Sequence, residues 1–191
     1  MKSSCISLWA ASFLLVLVWL PGPVYAQPTA KKLNAALMTA ADYEDAAAVA
    51  RLLASGAFVN ARDFEGRTAL HHAAMYGLSS YDENDFESQG DVSKRCAILS
   101  VMRLLIAHGA NVNAAAKDGR TPLMLTAGFA QSPACVRLLL EHGANRQAKD
   151  KHGWSALKWG LWGQGKDSTD SDDAEVIALL EQKQPKQASK Q

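Results

Sequence analysis

Gly119-Arg120-Thr121-Pro122-Leu123-Met124, followed by Arg137-Leu138-Leu139-Leu140-Glu141-His142-Gly143-Ala144, is the stretch on which the reading of this chain turns. In the first phrase the Thr121 hydroxyl is placed to cap the free amides of a short helix. Pro122 then takes the first helical position, where a missing N–H does no harm. In the second phrase consecutive leucines predict the buried stripe of another helix, which Gly143 ends in a left-handed conformation.

Both phrases recur on either side. Arg51-Leu52-Leu53-Ala54-Ser55-Gly56-Ala57 and Arg103-Leu104-Leu105-Ile106-Ala107-His108-Gly109-Ala110 repeat the second. Gly66-Arg67-Thr68-Ala69-Leu70-His71 and Gly153-Trp154-Ser155-Ala156-Leu157-Lys158 repeat the first. The leading glycines 66, 119 and 153 lie 53 and 34 residues apart, which makes one unit of about 33 residues with some 20 extra in one copy. The segments between, such as Val59–Gly66, are long enough only for a turn or hairpin.

Phrases of this kind and spacing resemble those of the ankyrin-repeat family, Gly-x-Thr-Pro-Leu-His-x-Ala-Ala and then Leu-Leu-x-x-Gly-Ala-x-x-Asn, over about residues 33–183. The resemblance implies an all-α fold: a solenoid of about four helix–turn–helix repeats with short hairpin loops. Units are expected at about 33–60, 63–113 (with an insertion at 78–97), 116–147 and 150–183, after a short lead at 27–32. The end units depart from the pattern, as terminal repeats with a water-facing side do. Residues 184–191 read as a disordered tail, rich in Gln and Lys.

Upstream of the repeats, Lys2 precedes an uncharged run from Leu8 to Leu20, then Pro21-Gly22-Pro23 and Val24-Tyr25-Ala26. Charged start, short apolar core and small residues before Gln27 form the pattern of a secretory signal peptide at 1–26. The apolar run is short of the ~20 residues that span a bilayer, so no stable membrane anchor is expected. With Lys2 gone and no acid lost, 19 basic side chains face 19 acidic ones. A neutral chain is not built to coat nucleic acid. The expected localisation is the periplasm, with secretion as the alternative.

Candidate chemistry is sparse. His71 occupies the position where the family carries a structural histidine, and His108 and His142 recur in register, which points to packing. No nucleophile or acid–base motif and no phosphate loop is present, so no catalysis, cofactor or metal is expected. A haem- or metal-handling alternative would rest on His71, His72, Met75, Tyr76 and Met124. The acidic residues of the insertion lack calcium-loop spacing. Asp167–Asp173 stands before the last helix, with Asp172 and Glu175 spaced as a capping box. Cys96 and Cys135 would meet an oxidising compartment, and both a disulfide and two separate thiols remain open.

Positions between the framework residues are free to bind. By register they are Tyr43, Arg62, Phe64, Arg67, Met75, Tyr76, Lys117, Arg120, Phe129, Lys151, His152, Trp154 and Trp162, which fall on hairpin tips and the exposed side of the inner helices. Aromatic residues with arginine are favoured at protein interface centres. Trp159 reads as filling the end of the core; for Trp154 and Trp162, core filling and partner contact both fit. The expected function is a non-enzymatic protein-binding module, monomeric when free, that binds a partner protein along its concave face. Resemblance to small exported bacterial ankyrin proteins implies an accessory factor for an oxidative-stress enzyme such as a catalase, or an immunity protein against a periplasm-acting toxin.

Overall fold

A computed structural model describes residues 29–75, 92–130, 132–163 and 171–181. The signal pattern at 1–26, Tyr76, most of the insertion and the tail beyond 181 lie outside them. Eight α-helices follow in order: α1 Ala30–Asp42, α2 Ala46–Ala54, α3 Ala69–Met75, α4 Val92–Ala107, α5 Pro122–Leu125, α6 Pro133–Glu141, α7 Ala156–Gly163 and α8 Ser171–Glu181. A single π-helical turn, Thr126–Ala130, continues α5. The described residues contain no strand, and none of their helices is long and apolar enough to cross a membrane.

The helices pair as four units stacked in two layers. The inner layer is α1, α3, α5 with its π turn, and α7; the outer layer is α2, α4, α6 and α8. This arrangement follows from the repeated apolar positions. Leu37, Leu70 and Leu123 are buried along the inner helices, and Val49, Met102 and Val136 along the outer ones. Small residues Ala41, Ala73, Ala74 and Ala127 lie between, where helices must approach closely. Removing a buried Leu side chain from such a core typically costs about 2–5 kcal/mol.

Of the leucine pairs expected to be buried, Leu105, Leu138 and Leu139 are, whereas Leu52, Leu53 and Leu104 are half-buried. A helix packed on one side shields the centre of its stripe better than the edge. Gly56, Gly109 and Gly143 take positive φ at the ends of α2, α4 and α6, as their placement predicts.

Hairpin-like loops join the units. The Asp63 amide donates to the Arg67 carbonyl at 2.9 Å, Ala116 to Arg120 at 2.9 Å and Asp150 to Trp154 at 3.0 Å. Successive hairpins are linked by Lys117 N–H to Glu65 O at 2.8 Å and Lys151 N–H to Asp118 O at 2.9 Å. Gly119 is required at one such link: a Cβ there would lie 3.0 Å from Asp150 Cα, and its φ is +84°.

A second row of bonds runs along the other end of the units. Asn60 Nδ2 donates to Gly109 O at 2.9 Å while its Oδ1 accepts from Asn111 N–H at 2.8 Å. One unit on, Asn113 repeats this with Gly143 O at 3.0 Å and Asn145 N–H at 2.8 Å. The third junction lacks that asparagine, and Arg146 Nε donates to Leu179 O at 3.3 Å instead. Each satisfied bond contributes about 0.5–1.5 kcal/mol net, so the row pins otherwise weak one-dimensional neighbours.

Several expectations need correction. Thr121 makes no side-chain cap, and its buried hydroxyl has no hydrogen-bond partner. Helix α8 starts at Ser171, so Asp172 is not its cap, and Glu175 pairs with Arg137 of α6. Residues 92–97, counted with the insertion, form the first turns of the 16-residue α4. Helix α1 begins at Ala30, ahead of the expected unit start at 33. Cys135 is a buried free thiol whose pKa burial raises; the side chain of Cys96 lies outside the described residues.

Candidate protein-binding face

The hairpins deliver their side chains against the inner helices, and two carboxylates set the geometry. Asp63 Oδ1 accepts the amides of Glu65 and Arg67, each at 2.8 Å, and Asp150 Oδ1 accepts those of His152 (2.9 Å) and Trp154 (2.8 Å). That leaves Oδ2 of each aimed at the following helix. Asp63 Oδ2 meets His72 Nε2 at 3.1 Å, and Asp150 Oδ2 accepts the Trp159 indole N–H at 3.0 Å. Burial works to raise the pKa of both carboxyls. The backbone amides and the ring partners outweigh it and hold both below the usual carboxylate range.

Trp159, fixed in this way and buried, is the floor of an aromatic cluster. Its ring centroid lies 5.2 Å from Trp154, 5.5 Å from Trp162 and 5.8 Å from Phe129. Phe129 and Trp162 meet edge to face at 6.0 Å. The Arg120 guanidinium stacks 4.4 Å above Trp159 while its Nε sits 3.3 Å from Asp118 Oδ2, and Lys158 Nζ lies 4.5 Å above Trp154. Aromatic and cation–π pairs of this kind each contribute roughly 0.5–2 kcal/mol.

The π turn supplies Phe129 to this cluster. One more residue separates Ala127 from Gly143 than separates Ala41 from Gly56, and an i→i+5 turn takes up such an extra residue. Gly128, within the turn, comes so close to Trp159 that a Cβ would lie 3.1 Å from its Cε3.

The expected binding residues thus divide. Trp162, at 55% exposure, Phe64 at 81% and Tyr43 at 72% present rings to solvent; Lys117, Lys151 and His152 are exposed as well. Phe129, Trp154 and Met75 are half-buried. The three arginines are engaged within the chain: Arg62 donates to Gly66 O at 2.8 Å and Ala115 O at 2.7 Å, Arg67 pairs with Glu65, and Arg120 holds the cluster. Leu161, exposed beside Trp162, and Phe58, at a variable position of the Leu-Leu-x-x-Gly-Ala-x-x-Asn phrase, are large exposed apolar residues that register does not single out.

The histidines are held too. The Thr68 amide (3.1 Å) and hydroxyl (2.9 Å) donate to His71 Nδ1, and Nε2–H donates to Arg120 O at 3.2 Å. Burial keeps His71 neutral, its pKa lowered to about 4. His72 lies between Asp42 Oδ1, at 2.9 Å from Nδ1, and Asp63. Burial would lower its pKa, but the bonds and charges of the two carboxylates prevail and raise it. No group of three or more His, Cys, Asp or Glu among the described residues is arranged to hold a metal ion.

Comparison with protein families gives three matches. A model of ankyrin repeats in three copies matches residues 93–170, one of ankyrin repeats in many copies matches 37–81, and a single ankyrin repeat matches 65–117.

Proposed function

This chain belongs to the ankyrin-repeat family, whose repeats are protein–protein interaction modules; from that premise we propose that it is a non-enzymatic binding protein acting in the periplasm, where it holds a partner protein on its concave face as an accessory, protective or inhibitory factor. One observation carries the choice of face. Trp162 is more than half exposed, yet it rests on a buried, hydrogen-bonded Trp159 and against Phe129. A ring that is exposed but already immobilised loses little side-chain freedom when a partner covers it, which is how an interface anchor gains affinity. The export pattern at 1–26 supports the compartment.

The test is a pull-down from native periplasmic extract with the chain from residue 27 onward as bait, beside its Trp162→Ala variant. One stoichiometric protein, retained by the parent and lost by the variant, is the expected result. Absence of any protein partner, or a bait that carries haem or metal instead, would overturn the reading.

A further inference from the structure

The hairpins and the inner helices of the second to fourth units carry an uneven charge. Over residues 58–75, 111–130 and 145–163 there are eight basic side chains and four acidic ones. Along the outer helices α2, α4, α6 and α8 the count is five of each. All four acids on the hairpin side are committed inside the chain. Asp63 holds His72 and two amides, Glu65 faces Arg67, Asp118 faces Arg120, and Asp150 holds two amides and the Trp159 indole. Lys117, Lys149 and Lys151, by contrast, are exposed, and no acid among the described residues pairs with them.

Aromatic anchors lie on the same side. Trp162 and Leu161 are exposed at the end of α7, and Lys158 on that helix places its Nζ above the Trp154 ring. Carboxylates turned inward and lysines exposed on the hairpins, with an exposed tryptophan on the inner helix that follows, ask for a ligand of the opposite pattern.

We propose that this face takes an acidic protein segment carrying an apolar or aromatic side chain, its carboxylates set against Lys117, Lys149 and Lys151 and its apolar group against Trp162. The inference rests on the binding-module reading and adds the chemistry of the partner. Lysines there steer and select, and the tryptophan anchors. Screening follows: attraction among exposed charges fades beyond about 10 Å at 0.1 M salt, so binding weakens as salt rises.

A random copolymer of Glu and Tyr serves as probe, with a copolymer of Lys and Tyr as its counterpart, and binding is followed by the change in tryptophan fluorescence. The Glu–Tyr polymer binds and the Lys–Tyr polymer does not. Lys117→Glu/Lys151→Glu weakens binding at least tenfold. Arg51→Glu/Arg103→Glu, an equal charge change on exposed outer-helix residues, changes it less than twofold. Unfolding curves of both variants verify that each is folded. Equal binding of the two polymers, or equal losses in the two double variants, would overturn the proposal. If a periplasmic partner is captured through Trp162 while the Lys117/Lys151 variant still binds both it and the acidic polymer as tightly as the parent, the module reading survives and the acidic inference falls.

Discussion

The indole N–H of Trp159 donates to Asp150 Oδ2 at 3.0 Å across nine residues of sequence, joining the tip of a hairpin to the helix it leads into. The second unit has the same link from the same register: Asp63 to His72, again nine residues apart. In the third unit these two positions are Ala116 and Leu125, and Leu125 is buried. Where the hairpin residue is an acid, the helix supplies a ring N–H; where it is alanine, the helix supplies a hydrocarbon.

Trp159→Phe keeps most of the ring but leaves the Asp150 carboxylate, 7% exposed, without its side-chain donor. A destabilisation of about 1–3 kcal/mol is expected in chemical denaturation. Asp150→Ala/Trp159→Leu, which copies the third unit, costs less than the sum of its single changes by at least ~0.5 kcal/mol. Strict additivity would mean that the pair is not coupled.

A maximum of stability near neutrality is expected from the two histidines. The folded pKa of His71 is depressed to about 4 from 6.5, so its contribution is present above pH 6.5 and is lost as pH falls towards 4. At 1.36 kcal/mol per unit this loss is on the order of 3 kcal/mol. His72 has a raised pKa, so its contribution is complete below 6.5 and disappears as pH rises through the folded value. Urea midpoints measured from pH 4 to 9 therefore rise and then fall. His72→Leu removes the alkaline limb and keeps the acidic one; an unchanged alkaline limb would show that the Asp42–His72–Asp63 bridge does not titrate as described.

Two threonines in one register have opposite consequences. Thr68 Oγ1 binds His71, whereas Thr121, with Met124 in the register of that histidine, has a buried Oγ1 without a partner. Thr68→Val is expected to destabilise by about 1–2 kcal/mol, and Thr121→Val to be neutral or stabilising by up to ~1 kcal/mol. Thermal unfolding of the two variants side by side checks this, and equal losses would contradict it.

The repeat phrases make the helices, their glycine stops and the buried leucines readable because each is a local device, copied with fixed spacing. What stays hidden is what one unit does to the next. Arg62 looks like a binding residue by register, but it donates to Ala115 O of the following hairpin. The π turn depends on a single extra residue, visible only when the Ala127–Gly143 interval is compared with Ala41–Gly56. Phe129 and Trp154 share a register class with exposed positions, and packing on Trp159 half-buries them. Trp162, for which core filling and partner contact both fit the register, packs on Trp159 at 5.5 Å and is still 55% exposed.

Trp162→Ala is the most direct test of the account. The partner captured from extract is purified, and its affinity for the parent chain and the variant is measured by titration calorimetry, with unfolding curves in parallel. If Trp162 anchors the interface, affinity falls by at least ~2 kcal/mol, about thirtyfold, while the unfolding midpoint hardly moves. Unchanged affinity in a folded variant would contradict the assignment of this face.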